Sequence, residues 1–187
     1  MEYVLLGSFI AIFDPPKTKP MADKKFILTR EVAEKKLQRM ALEVAEQLSD
    51  EEGMLVLIGI KESGMVIAQK ISHLLKPLLA KSTVKVISCS LNKRHPQEVV
   101  FSESINFNDL NVIVIDDVTN SGRTLLYALK PLLHFHPKRI QTLSLVERMH
   151  KSYPVKMDYV GISVATTLHD HIHVEVDGEE IVGAYLS

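Results

Sequence analysis

The chain has 187 residues, 46% hydrophobic and 24% charged, with 22 Lys+Arg against 23 Asp+Glu for a formal net charge of −1. That length suits one domain, and the composition excludes a disordered, collagen-like or coiled-coil protein. The charge balance speaks against a chain whose main task is coating nucleic acid, although a local basic patch is compatible with it. Cys89 is the single cysteine, so no intramolecular disulfide can form and a reducing cytoplasm is the expected compartment.

Residues 3–13 are an apolar run, shorter than the roughly 20 residues of a membrane span. The run follows Glu2 rather than a basic cluster, so it makes a weak signal peptide, and Pro15, Pro16 and Pro20 break any helix after it. Residues 1–25 are expected to be an N-terminal extension, disordered or, over 1–20, a start-site artefact with Met21 opening the natural chain; an added strand or dimer arm is the alternative. The folded domain is expected over 26–187. Thr29 is a suitable N-cap for a helix over 30–48, whose stripe is Ala33, Leu37, Met40, Ala41, Val44 and Leu48.

The continuous apolar run 55–60 predicts a strand buried on both faces. Gly64 lies near the start of a second helix with Ile67, Ile71, Leu74, Leu75 and Leu78 on its inner stripe. Residues 84–91 read as a strand, and 99–101 as half of a small hairpin. Residues 112–116 give the clearest buried strand, followed by a helix carrying Leu125, Leu126, Leu129, Leu132 and Leu133. Residues 142–146 and 159–163 complete the strands. This alternation predicts an α/β fold, a mostly parallel central sheet with helices on both faces.

In such sheets ligands bind outside the carboxyl ends of the strands. Residues 112–124 read VIVIDDVTNSGRT: a buried strand, an acidic pair, then a small polar loop opening a helix. Asn120 to Thr124 can present successive backbone N–H groups to a phosphate, with Gly122 allowing close approach and Thr119, Ser121 and Thr124 adding hydroxyls. Asp116 and Asp117 beside a phosphate would repel it unless they grip a metal or something neutral. The vicinal hydroxyls of a ribose fit, so a 5-phosphorylated ribose spans both groups.

This segment resembles the phosphoribosyl-diphosphate (PRPP) signature of the type I phosphoribosyltransferases. Residues 57–71, LIGIKESGMVIAQKI, are similar to the strand–loop–helix that binds pyrophosphate in that family, and residues 143–166 resemble the base-facing region of its PyrR-type group, pyrimidine-operon regulators that are also uracil phosphoribosyltransferases. The likeness covers about residues 26–187. It implies the type I phosphoribosyltransferase fold with a small hood and flexible-loop subregion, and transfer of 5-phosphoribosyl from PRPP to a nucleobase, uracil first, with release of pyrophosphate. It implies Asp116 and Asp117 on the ribose hydroxyls, and Asn120, Ser121, Gly122, Arg123 and Thr124 around the 5-phosphate. Lys61, Glu62, Ser63 and Gly64 fall at the pyrophosphate loop, and Glu147 and Arg148 at a post-strand position facing the base. Lys93, Arg94 and His95, in the polar stretch 92–104, would belong to a loop closing over the site, an ordinary solvated hairpin being the alternative. Mg²⁺ is expected, bound mainly through substrate, and so is a cytoplasmic homodimer.

Three departures accompany the likeness. The family's Tyr-Arg-Asp-Asp-like run is here Asn92, Lys93, Arg94 and His95; an acidic residue of the preceding strand is Ser88; and Thr-Arg of the pyrophosphate loop is Glu62 and Ser63. Hypoxanthine–guanine enzymes carry Lys where Glu147 stands, which favours a pyrimidine; a purine or another base is the alternative. The PyrR-type group also binds a messenger leader through a basic dimer face that includes the first helix. Arg30, Lys35, Lys36 and Arg39 are present here, but Gln38 and Leu42 replace that group's common Thr and His, so RNA contact and a solvated basic face are both open. An RNA-binding attenuator with weak catalysis is the corresponding alternative function. His169, His171 and His173 alternate, which on a strand gives either a polar face or a transition-metal site. Cys89 reads as a small core residue.

Overall fold

The computed structural model describes residues 25–91, 98–166 and 170–187. The leader, the loop residues Lys93, Arg94 and His95, and His169 lie outside the described residues. Strands β1 (Lys25–Thr29), β2 (Gly53–Ile60), β3 (Ser82–Leu91), β4 (Val99–Phe101), β5 (Asn111–Thr119), β6 (Arg139–Arg148), β7 (Tyr159–Val164), β8 (Ile172–Asp177) and β9 (Glu180–Leu186) alternate with helices α1 (Arg30–Leu48), α2 (Lys61–Leu75) and α3 (Arg123–Leu129). A 3-10 helix, Lys130–His134, continues α3.

The six-stranded sheet has the order β4-β3-β2-β5-β6-β7, parallel except for β4, which pairs antiparallel with β3. From β2 the chain steps outward to β3, and from β5 it steps the opposite way to β6. Right-handed crossovers in opposite directions put their helices on opposite faces, and the two cores follow that rule. Leu55, Leu57, Ile113, Ile115, Leu143 and Leu145 pack with α1 and α2, whereas Val56, Ile58, Val112 and Val114 pack with Leu125, Ala128 and Leu132 of the α3 layer.

Helix α1 buries the six residues of the expected stripe, and the Thr29 hydroxyl accepts from the Val32 N–H at 3.4 Å. Arg39 donates to the carbonyls of Val160 at 2.5 Å and Gly161 at 3.2 Å, so it ties α1 to the edge strand β7. The apolar stripes of the other helices are narrower than expected. Leu78 is 45% exposed because α2 ends at Leu75, before Pro77. Leu126 and Leu133, at 37% and 73%, face outward because each stands one position after a fully buried leucine, Leu125 and Leu132, and a single helical step turns the side chain away from the core.

A second sheet has the order β1-β9-β8, all antiparallel, and covers one end of the first core through Leu28, Ile172, Ile181 and Ala184. This is the hood. Glu180 at its turn accepts from Lys70 of α2 at 2.9 Å and from Arg30 of α1 at 3.0 Å, tying it to the body.

Candidate active site

Strand order reverses between β2 and β5, and a crevice at such a point is where an open parallel sheet binds ligands. Here that crevice is a cleft of about 880 Å³. The β2–α2 junction contributes Lys61, Glu62, Ser63 and Met65, the end of β3 contributes Ser88 to Leu91, and β5 with its following loop contributes Asp116 to Gly122, Thr124 and Leu125. The hood closes one side with Ile172, His173 and Val174.

Two glycines set the spacing of the junctions. A Cβ on Gly64 would lie 2.8 Å from the Ile115 carbonyl oxygen, so the first turn of α2 rests directly on the β5 backbone beside Asp116. Gly122 has φ +79°, and a Cβ there would meet the Tyr153 carbonyl oxygen at 3.3 Å. The Tyr153 N–H in turn donates to the Ser121 carbonyl at 3.0 Å, so the 150–157 loop buttresses the polar turn. Lys61 takes φ +58°, the left-handed region, at the point where β2 turns into α2. A non-glycine residue held there costs of order 1 kcal/mol and such residues concentrate at functional turns.

Asp116 is 6% exposed and accepts from the Asp117 N–H at 3.0 Å. Burial pushes its carboxyl well above the usual range and the Asp117 charge adds to the rise, while the Lys61 ammonium pulls the other way. Cys89 is fully buried on β3, and burial with the Asp116 charge pushes its thiol up to about 12.

Of the residues singled out from the sequence, Lys61, Glu62, Ser63, Asp116, Asp117, Asn120, Ser121, Gly122 and Thr124 come together around this one cleft. Gly64 lies directly behind it. Arg123 does not line the cleft: its guanidinium carbon stands 5.8 Å from the Tyr127 ring centroid. Glu147 and Arg148 are not post-strand residues, because β6 runs on through both. Glu147 pairs with Lys151 and accepts from the Ser163 hydroxyl at 3.0 Å, while Arg148 donates to the Asp170 carbonyl at 2.5 Å; neither lines the cleft.

Sequence reasoning missed Ser90, Leu91, Met65, Ile172 and Val174 as cleft walls. The carboxyl-end rule flags the first two, since they close a parallel strand, but no local signal places β8 over the cleft. His171 and His173 have ring centroids 6.4 Å apart, and His173 stacks on Tyr185 at 5.3 Å and meets the Ser187 hydroxyl at 3.0 Å. Among the described residues, no group of three or more His, Cys, Asp or Glu side chains is placed to hold a metal ion by itself. No described helix is long and apolar enough to cross a membrane.

A mostly parallel sheet whose reversal point carries an acid pair and a small-residue anion loop defines a class, and comparison with known families gives its name. Residues 26–180 match the phosphoribosyl transferase domain, and the chain belongs to that family. It is 32% identical over 174 residues to the "Bifunctional protein PyrR" of Clostridioides difficile, covering 87% of this chain and 98% of that one. It is 35% identical over 158 residues to the protein of the same name from Ligilactobacillus salivarius, covering 77% and 88%. A hypoxanthine phosphoribosyltransferase structure from Trypanosoma cruzi superposes with a TM-score of 0.72 at 14% identity, over 87% of this chain and 95% of that one. That likeness shows the shared fold, a type I phosphoribosyltransferase architecture.

Proposed function

We propose that the protein transfers 5-phosphoribosyl from PRPP to a nucleobase, uracil first among them, and releases pyrophosphate. The observation that supports this most is the convergence of the 61–64 junction, the Asp116–Asp117 pair and the 120–124 turn on one open cleft. The turn offers backbone N–H groups and the hydroxyls of Ser121 and Thr124 to the 5-phosphate. Asp117 and Asp116 accept from the ribose hydroxyls. Lys61 and the first-turn amides of α2, which carry no side-chain cap, meet the pyrophosphate end.

The C1–oxygen bond to pyrophosphate breaks as the bond from C1 to a base nitrogen forms, through an oxocarbenium-like ribose. The two carboxylates lie beside that developing positive charge, which is why no nucleophilic side chain is needed. Mg²⁺ would be carried in on the substrate, with Asp116 and Asp117 available to meet its bound water. When bound, Mg²⁺ supplies neutralisation of the leaving group's charge.

The test mixes purified protein, PRPP, Mg²⁺ and each of several bases, and follows pyrophosphate release. Uracil-dependent release is expected; release with a purine alone would reassign the acceptor, and no release with any base would overturn the reading.

The relatives' shared name, "Bifunctional protein PyrR", favours a second reading, a pyrimidine-responsive RNA regulator acting as a cytoplasmic homodimer. Helix α1 offers it little. Arg30 is engaged by Glu34 and Glu180, and Arg39 by Glu43 and the β7 carbonyls. That leaves Lys35 and Lys36 for phosphates. Leader-RNA binding that weakens steeply with salt would support the regulator.

A further inference from the structure

The cleft's two phosphate-facing ends are built from different side chains. At the β5 end the polar turn is lined by Asn120, Ser121 and Thr124, neutral side chains around a left-handed Gly122. At the α2 end, Lys61 is joined by Glu62, which lies in the first turn of the helix and lines the cleft. The uncapped amides of that turn form the positive end of a 15-residue helix, the field that would draw a phosphate. Glu62 already sits in that field. Among the described lining residues, the carboxyl groups of Glu62 and Asp117, with that of the buried Asp116, stand against the ammonium of Lys61, which Asp116 also draws on.

We infer that Glu62 is a specificity-determining residue that opposes pyrophosphate. The cleft therefore favours ligands bearing a single 5-phosphate, such as ribose 5-phosphate or a nucleoside monophosphate, over a pyrophosphate-bearing donor. Pyrophosphate, once formed, leaves readily, and the reverse reaction is weak at ordinary pyrophosphate levels. A site biased in this way retains its nucleotide product, which suits a protein that reports nucleotide abundance. The inference rests on the PRPP reading above and assigns the ligand preference of that same site.

Titration calorimetry on the full chain tests it, with inorganic pyrophosphate, PRPP and ribose 5-phosphate as probes, each with and without Mg²⁺. Glu62→Gln is expected to tighten pyrophosphate and PRPP about tenfold at low salt, because one unit of repulsion beside a multiply charged anion is removed. Ribose 5-phosphate should stay within about twofold, and the tenfold gain should shrink as salt is raised and the charges are screened. Glu62→Asp keeps the charge and should bind all three probes like the unaltered protein.

Equal tightening of ribose 5-phosphate, or no change for pyrophosphate, would overturn the assignment. So would weaker pyrophosphate binding in Mg²⁺ alone, since the carboxylate would then be serving as a metal ligand. Tighter binding of PRPP than of ribose 5-phosphate by the unaltered protein would overturn the ligand preference alone, whereas failure to bind any of the three probes would sink the PRPP reading.

Discussion

The floor of the cleft and its hood wall are built on different principles. The floor consists of strand-to-helix junctions in a parallel sheet buried on both faces, where Gly64 presses α2 onto β5 and a carboxylate is held almost out of water. The hood is three antiparallel strands drawn from both ends of the described chain. One of its faces packs on the core, and its turn is tied to the helices by ion pairs that are half exposed. Burial sets the environment of Asp116, and the Gly64 contact fixes the spacing of the junctions. The hood packs on that same core from one end, so the difference separates the part that carries the acid pair from the part that covers it.

The sharpest way to break the comparison is at the acid pair. Asp116→Asn together with Asp117→Asn should lower phosphoribosyl transfer by a factor of about 100 or more, the scale of removing groups aimed at developing charge. Turnover that survives both changes would remove the ribose-gripping role from the floor. Next comes Gly64→Ala, whose methyl would meet a backbone oxygen that cannot yield without moving β5. A loss of about 1–3 kcal/mol in denaturant unfolding is expected, with a parallel drop in turnover. An unchanged midpoint would show that the junction is slack.

The third prediction concerns pH. The folded carboxyl of Asp116 titrates above its unfolded value, so its contribution to stability is fully present below about pH 4 and is lost as pH rises through the raised folded value. Asp116→Asn should therefore raise the Tm of the ligand-free protein near neutral pH by a few degrees, at about 2–4 °C per kcal/mol, and flatten that decline. A lower Tm would mean that the charge is compensated in the folded state. The smallest effect belongs to the hood. Glu180→Gln should move the Tm by no more than about 2 °C, as expected for exposed pairs, and less still in high salt. A large, salt-independent shift would show that the hood is as rigidly built as the floor.

The floor was legible in the sequence because its signals are local. The α1 stripe, the apolar runs of β2 and β5, and the acid pair followed by a glycine turn all fall within spans of a few to about twenty residues. The hood was less so. The alternation in Ile172 to Asp177 and the Asp177–Gly178 dipeptide are a hairpin signal that a closer reading of the C-terminal end could have used. Strand β1 is five residues long and carries no pattern of its own. The ends of β5 and β6 ran past their apolar runs, to Thr119 and Arg148, because ladder pairing continues beyond the apolar residues, Thr119 with Glu147 and Arg148 with Val164. That extension withdrew Glu147 and Arg148 from the cleft into pairs with Lys151, Ser163 and the Asp170 carbonyl.

By itself the sequence determined the alternation of strands and helices in the six-stranded sheet, the buried face of α1 and the grouping of chemistry after β2 and β5, since periodicity and turn residues act between near neighbours. Only the tertiary structure decided that Lys25 pairs with Leu186, that a hood closes the cleft, and that Lys61 comes close enough to Asp116 to favour its charge. Those contacts join distant parts of the chain, and they form only where close packing of backbone on backbone, as at Gly64, brings separate elements within reach.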